Sequence, residues 1–286
     1  MDSSLILTIF LGSLAASALN IGKGIQKLKV HVLLKGFGVF SAENRRDFSI
    51  WLLGVFLALS STAFYSLSMK VSDKPSTVSS LVGVGLIALV VFARFVLKEK
   101  VGLREIAGAT LIIAGTTILT AYDANINAPE GFILKELLKY TGFALIIYLA
   151  LIPYTLLTGK MHGLIFGSLA GIFIGIGLFI ADVALVESGG SLLGQFKNPY
   201  PYIAFLAAVG AFSVTQLAFF RGRAVVVVPC INSFAILIPL YLEFFIYNIR
   251  LYSIQYVGII TVVIGVVILS SAASGGMEIL LTPVEK

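Results

Sequence analysis

Nine stretches of the sequence are long and apolar enough to cross a lipid bilayer as helices. Such a helix needs about 20 mostly apolar residues, because lipid offers no partner to backbone groups left unpaired. Hydrophobic residues make up 58% of the chain and charged residues 12%, and the mean hydropathy is +1.02, unlike a water-soluble domain. The sequence therefore predicts an all-α, polytopic membrane protein with about nine transmembrane helices, near residues 4–27, 49–70, 75–97, 103–122, 138–158, 163–186, 200–220, 225–247 and 252–273.

An internal repeat links the two parts of the chain. Residues 51–122 resemble residues 201–272 at a constant offset of 150, with matching segment boundaries and no gap. Two pairs of glycines align at this offset: Gly108 with Gly258, and Gly115 with Gly265. The alternative is that apolar segments of ordinary length align by accident. If the repeat is real, spans two to four are equivalent to spans seven to nine.

The repeat unit is then five spans long, and an odd number of spans places the second copy in the membrane in the opposite sense. We predict a five-helix inverted repeat with the tenth helix missing. The first half covers residues 1–158, including a connector at 123–136, and the second half covers residues 159–286 with a short cytoplasmic tail. Inverted repeats are typical of carriers that open alternately to the two sides of the membrane.

Positive charges predict the orientation, since cytoplasmic loops carry the excess of lysine and arginine. Loops on the C-terminal side of the predicted membrane hold fourteen of these residues, and the other side holds six. We therefore expect the N-terminus outside and the C-terminus in the cytoplasm, in the plasma membrane. The charges are scattered at membrane edges without interleaved aromatic side chains, so nucleic acid is not expected as a partner.

No arrangement of residues predicts an enzyme. His31 and His162 have no cysteine or acidic residue at metal-binding spacing, and Cys230 is the single cysteine. Gly22-Lys23-Gly24 lacks the spacing and the following hydroxyl of a phosphate-binding loop. We expect no catalytic residue and no cofactor.

Two acidic residues lie inside the predicted spans, Asp182 in span six and Glu243 in span eight. A charge at a helix centre costs about 2.5–3.5 kcal/mol on insertion scales and usually marks a transport pathway or an ion pair. Carboxylates are also the preferred ligands of Mg²⁺. Asp182 and Glu243 are therefore the predicted metal ligands; the alternative places both at the membrane interface.

Uncharged polar residues extend the predicted binding site. Asn232, Pro239 and Glu243 share one face of span eight at helical spacing. Asn20 and Gln216 are amides inside spans one and seven, where they cannot easily bond to their own helix, and Ser61 and Tyr65 lie in span two. Together they predict a polar cavity between spans one, two, six, seven and eight. Its predicted substrate-binding residues are Asn20, Ser61, Tyr65, Asp182, Gln216, Asn232 and Glu243.

Glycines recur every four residues in span six, at Gly163, Gly167, Gly171 and Gly175. Small residues at this spacing let helices approach closely in lipid. We therefore predict a tightly packed helix pair that includes span six.

Several motifs make the chain resemble the drug/metabolite transporter superfamily, with an EamA-like repeat, and within it the NIPA magnesium transporters. They are Phe95-Val96-Leu97-Lys98-Glu99-Lys100 at the end of span three, His162-Gly163 opening span six, Thr215-Gln216, Phe219 to Ala224, and Val227-Val228-Pro229. The resemblance covers most of the chain and implies a transport function. NIPA-type proteins tend to carry Gly-Glu in span two, where this chain has Ser60-Ser61.

The expected function is a carrier that works by alternating access, with Mg²⁺ as the first expected substrate. The first alternative is an exporter of small metabolites or drugs from the same superfamily. The second alternative is a membrane scaffold or receptor that transports nothing. The expected partners are the lipid bilayer and a small solute or cation, and a homodimer is left open.

Overall fold

The computed structural model of the protein describes residues 3–72, 78, 81–121, 134–191 and 193–274. Within these ranges the chain is all-helical, as predicted, with nine α-helices and no β-strand. Short 3₁₀ segments follow α1 and α6, at Val30–Phe40 and Gly194–Lys197. The helices are α1 (Ser3–Lys29), α2 (Arg45–Val71), α3 (Val82–Phe95), α4 (Leu103–Ala121), α5 (Leu134–Thr158), α6 (His162–Glu187), α7 (Tyr200–Arg221), α8 (Ala224–Ile246) and α9 (Ser253–Ser274).

The helices fit the dimensions of a bilayer. Eight of the described helices are long and apolar enough to cross it, and the third apolar segment, described over Gly83–Phe95, is shorter. Large apolar side chains cover much of the outer surface; Phe143 and Leu149 on α5, for example, are 67% and 73% exposed. The chain is an integral membrane protein. The predicted start of span three, connector residues 123–133 and the tail from 275 lie outside the described residues.

Helix packing follows the predicted repeat. In the first half α1 packs against α2 and α3, and in the second half α6 packs against α7 and α8. The remaining large interface joins α4 to α9. The repeat makes α1, α2 and α3 equivalent to α6, α7 and α8, so these two groups pack in the same way. It also makes α4 equivalent to α9, and these two helices pack against each other. The division of the chain at residues 158 and 159 stays a prediction.

The crossing of α4 and α9 has reciprocal contacts. A Cβ added to Gly108 would lie 2.9 Å from the carbonyl oxygen of Gly265, and one added to Gly265 would lie 2.8 Å from that of Gly108. Gly115 and Gly258 are related in the same way, at 2.8 and 3.1 Å. The two helices therefore cross antiparallel. Gly108 meets Gly265, which is the repeat equivalent of Gly115, and Gly115 meets Gly258, which is the repeat equivalent of Gly108. This pairing is what an inverted repeat requires.

The ends of α3 and α8 repeat the same backbone geometry. Lys98 and Asn248, 150 residues apart, both have φ of 55°. After them, the side chain of Glu105 accepts the Gly102 N–H at 3.0 Å, and the side chain of Gln255 accepts the Tyr252 N–H at 2.9 Å. Equivalent positions in the two copies therefore keep the same local hydrogen bond, although the residues there differ.

Consecutive helices place their ends at two faces of the bundle. One face holds the C-termini of α1, α3, α5 and α7 and the N-termini of α2, α4, α6 and α8. Contacts across it join Lys27 to Phe219, His162 to Leu217 and Glu99 to Ala224. Because most of the lysines and arginines lie at this face, we call it the basic end, and the other face the opposite end.

The glycines of α6 pack against α8, as their spacing predicts. A Cβ on Gly171 would lie 2.5 Å from the carbonyl oxygen of Ile231 and 2.7 Å from the Cβ of Phe234. Next to Gly175 the nearest atoms belong to Ile238 and Pro239. The stripe therefore brings the two backbones into direct contact, and Pro239 lies in this interface.

Gly115→Ala is expected to lower the free energy of unfolding by about 1–2 kcal/mol, since overpacking costs about 1–3 and the gain in helix propensity offsets up to about 1. Gly265→Ala should have the same effect, because its contacts with Gly108 and Ile112 are the repeat equivalents of those that Gly115 makes with Gly258 and Val262. Gly142→Ala on α5 is the control, since no atom lies within 4 Å of its added Cβ. Unfolding in mixed micelles measures all three variants. Loss of stability in Gly142→Ala, or in only one of the other two, would contradict the reciprocal crossing.

Candidate functional site

A cavity of about 480 Å³ lies between α1 and α2 of the first half and α6 and α7 of the second. At the opposite end its walls reach Ala181 near the end of α6 and Pro201 in the first turn of α7. Toward the basic end it stops at three polar side chains, which are Lys23, Gln26 and Thr215. The remaining described lining is apolar. Four of the five predicted helices therefore border the cavity, but its wall is less polar than the sequence suggests.

Lys23 connects the cavity to a buried chain of amides. Its Nζ donates to Oδ1 of Asn232 at 3.0 Å, and Nδ2 of Asn232 donates to Oδ1 of Asn20 at 3.1 Å. Nδ2 of Asn20 in turn donates to the carbonyl oxygen of Ala16 at 2.9 Å. All three polar side chains are at least nine-tenths buried. The chain ties α1 to α8, and Asn232 holds the amine from behind the cavity wall.

Gln26 begins a second chain one helical turn further along α1. Its Oε1 accepts from Nε2 of Gln216 at 2.8 Å, and Oε1 of Gln216 accepts from the indole N–H of Trp51 at 3.1 Å. Gln26 also donates to the carbonyl oxygen of Gly54 at 3.3 Å. A Cβ on Gly54 would lie 2.8 Å from the carbonyl oxygen of Gly22, so α1 and α2 touch directly beside this chain. This second chain of hydrogen bonds joins α1, α2 and α7 on the basic-end side of the cavity.

Hydrogen bonds join α1, α6 and α7 at the basic end. The Lys27 amine donates to the carbonyl oxygen of Phe219 at the end of α7. His162 Nε2 lies 2.9 Å from the carbonyl oxygen of Leu217, which ties α6 to the same turn of α7. Hydrogen bonds therefore hold the basic end together, whereas the cavity lining extends toward the opposite end.

Glu99 caps α8 from the loop after α3. One carboxylate oxygen accepts the Ala224 N–H at 2.7 Å and the other accepts the Val225 N–H at 3.1 Å. Burial raises the pKa of Glu99 above 4.5, although these two hydrogen bonds and the charges of Lys27 and Arg223 act in the opposite direction. The cap joins the first half to the start of α8.

Arg223 strengthens this junction. Its guanidinium forms an ion pair with Glu105 at 2.8 Å and donates to the carbonyl oxygen of Lys100 at 2.9 Å. Glu105 is buried, and the Arg223 side chain is 26% exposed. A partly buried ion pair with a second hydrogen bond from the same guanidinium holds its partners more firmly than an exposed ion pair.

Three of the predicted site residues, Asn20, Gln216 and Asn232, come together in these two chains. Ser61 is buried but donates to the carbonyl oxygen of Ala58 in its own helix at 2.6 Å. Tyr65 is 39% exposed. None of the seven predicted substrate-binding residues is among the described residues that line the cavity. Their role in substrate binding stays a prediction.

The predicted metal ligands lie toward the opposite end. Asp182 is exposed near the end of α6, and Glu243 is half-buried near the end of α8. Burial raises the pKa of Tyr247 to about 12, and the charges of Asp182, Glu187 and Glu243 add to this effect. The carboxylates therefore share one neighbourhood outside the described cavity lining. Their role as metal ligands stays a prediction.

Sequence reasoning missed Lys23, Gln26 and Trp51. Lys23 is one of the fourteen lysines and arginines that predict the orientation, although it lies inside the predicted first span and is only 9% exposed. The cost of a charge within a span is the signal that could have identified it. Trp51 carried no such signal, because tryptophan is ordinary near the ends of membrane helices.

The fold and the cavity define a class of protein, a polytopic α-helical membrane protein with a cavity of about 480 Å³ between α1, α2, α6 and α7. Comparison with protein-family models, curated proteins and solved structures finds no match to the chain.

Proposed function

We propose that the protein is a membrane carrier that works by alternating access. The observation that supports this most is the position of the cavity between α1 and α2 on one side and α6 and α7 on the other. Its lining reaches toward the opposite end, whereas hydrogen bonds of α1, α6, α7 and the start of α8 hold the basic end together. In a carrier built from an inverted repeat, rearranging one half against the other would open the closed end and close the open one.

The charge asymmetry supplies the orientation in this proposal. The basic end faces the cytoplasm, the N-terminus lies outside and the protein resides in the plasma membrane. The cavity then opens to the exterior in the conformation described here. Membership of the drug/metabolite transporter superfamily is part of the proposal, supported by the repeat unit of five helices, and a homodimer remains compatible with the exposed outer helices.

The cavity lining favours a small organic solute as the substrate. Its volume is within the usual range of about 300–1,000 Å³ for small-molecule sites, which are mostly apolar with a few placed polar groups. A divalent cation would meet the amine of Lys23 at the closed end and no carboxylate among the described lining residues. Mg²⁺ is the second candidate, supported by the carboxylates of Asp182 and Glu243 near Tyr247.

Cysteine labelling in oriented vesicles tests alternating access without knowledge of the substrate. In a Cys230→Ala background, Ala208→Cys in the cavity wall should react with a membrane-impermeant thiol reagent added at the opposite end only. Ala218→Cys, fully buried on the same helix, should react only from the basic end. Lys27→Met removes the donor to Phe219 and should slow the first reaction and accelerate the second. Labelling of Ala208→Cys from both ends at once would indicate a channel, and rates that Lys27→Met leaves unchanged would contradict the gate.

Flux in proteoliposomes separates the two substrate candidates. Organic solutes are expected to move without Mg²⁺. If Mg²⁺ moves, and the Asp182→Asn and Glu243→Gln variants reduce that flux while Glu43→Gln in an exposed loop does not, the cation is the substrate. Absence of flux for any solute would favour the scaffold or receptor.

A further inference from the structure

Lys23 is the one charged residue in the described cavity wall, and its amine has few described hydrogen-bond partners. A lysine carries three N–H donors, and the described residues accept one of them, through Oδ1 of Asn232. Lys23 forms no ion pair within the described part of the chain. Asn232 is neutral, so it orients the amine without balancing its charge. A buried charge left in this condition is costly unless something else completes it.

The surroundings of Lys23 determine what could complete it. The described cavity wall contains no carboxylate. An anionic ligand is the group that would complete the amine. Phe173, Phe205 and Phe212 contribute aromatic surface to the same wall. A ligand that fills the cavity therefore needs an anionic head at Lys23 and an apolar body along the aromatic side chains.

The other polar groups argue against a second charge on the ligand. The ammonium of an amino acid would need a carboxylate or several free acceptors. Gln26 Oε1 already accepts from Gln216, and the Thr215 hydroxyl donates to the carbonyl oxygen of Ala211 at 2.8 Å. The described wall thus contains one cation, Lys23, and two neutral polar groups, Gln26 and Thr215, that already form hydrogen bonds within the protein.

We propose that Lys23 binds the carboxylate of a small apolar monocarboxylic acid, such as an aryl-substituted acetate, in the cavity between α1, α2, α6 and α7. The proposal rests on the carrier function, for which this acid would be the transported solute. Asn232 is then a positioning residue that holds the amine toward the cavity. The aromatic side chains select an apolar body, and the lack of a described acid in the wall selects against zwitterions.

Equilibrium binding to purified protein tests this, with radiolabelled phenylacetate as the probe and phenylacetamide and phenylalanine as competitors. Phenylacetate should bind at least about tenfold more tightly than its amide or the amino acid, because hydrogen bonds to charged groups are worth more than neutral ones. Lys23→Gln should weaken phenylacetate binding by about tenfold or more without changing the affinity for phenylacetamide. Lys23→Arg should retain part of the affinity, because it keeps the charge.

Two further variants locate the site. Ala208→Trp, which fills the cavity away from Lys23, should weaken phenylacetate and phenylacetamide equally. Lys139→Gln, which removes an exposed lysine on α5, should change neither. Thermal unfolding of each variant identifies any that fails to fold.

The outcomes separate this inference from the carrier proposal. No phenylacetate binding, equal binding of acid and amide, or unchanged affinity in Lys23→Gln would overturn the carboxylate site. Flux of another solute under those conditions would leave the carrier proposal intact. Specific phenylacetate binding without any flux or gate movement would support the site and overturn the carrier.

Discussion

Asn232→Leu is expected to lower the free energy of unfolding by about 3 kcal/mol, because it leaves a buried amine without its acceptor. Asn232 is the one described partner of Lys23 and also donates to Asn20. A neutral amide lost between membrane helices usually costs less than this, about 0.6 kcal/mol on average. The loss of unfolding free energy beyond that of a neutral hydrogen bond should therefore come from the unpaired charge on Lys23. Unfolding of the detergent-solubilised protein by sodium dodecyl sulfate provides the measurement.

A double variant tests the cause. Lys23→Met combined with Asn232→Leu removes both the donor and the acceptor, and should recover most of the stability lost by Asn232→Leu alone. About 1 kcal/mol should remain missing, because Asn20 still lacks its donor. Ser233→Ala is the matched control, since that buried hydroxyl donates only within its own helix, to Pro229. A double variant no more stable than Asn232→Leu would show that charge is not the cause.

Glu99→Ala is expected to destabilise the basic end by at least the value of a helix cap, about 1–2 kcal/mol. The substitution frees the first two N–H groups of α8 and removes a negative charge beside Lys27 and Arg223. The basic end should open more often, so a cysteine at Ala218 should react faster from that side. Glu43→Ala, which removes an exposed acid from the loop before α2, should leave stability and labelling unchanged.

The pH dependence of stability provides a second measurement on Glu99. Its folded pKa lies above the ordinary value of 4.5, so between these two values the native state binds more protons than the unfolded state. The free energy of unfolding contributed by Glu99 therefore falls as the pH rises through this window and is constant above it. Glu99→Gln cannot titrate, and the wild type should lose stability relative to it as the pH rises from about 4. Parallel stability curves for the two proteins would contradict the burial of this carboxylate.

The helices could be predicted from sequence because the bilayer imposes their length and apolarity. The equivalence of α4 and α9 was also predictable, since the glycines keep their spacing after duplication. Which glycines touch was not predictable from the alignment alone: Gly108 aligns with Gly258 but packs against Gly265. That crossed pairing follows only when the two helices are placed antiparallel in space.

The buried polar residues beside the cavity were predictable, because a polar group inside a membrane span is costly without a partner. Asn20, Gln216 and Asn232 were identified because an amide inside a span needs a partner, and the structure provides one for each. Their partners lie about 200 residues away along the chain, at separations that helical periodicity does not encode. Lys23 was missed for a related reason, because a lysine near a span end ordinarily reaches water, and only tertiary packing buries this one.

The reciprocal crossing of α4 and α9 resembles the interface of a twofold-symmetric dimer. In such an interface, residue i of one copy contacts residue j of the other, and residue j of the first copy contacts residue i of the second. A chain of half this length could form the same crossing with a second copy of itself only if the two copies inserted in opposite directions. Fusing two such copies end to end would fix their opposed orientations and leave each free to diverge. At the offset of 150 residues, Phe173 is equivalent to Lys23 and Val82 to Asn232, so the buried amine and its acceptor each occur once in the chain and break the symmetry of the repeat.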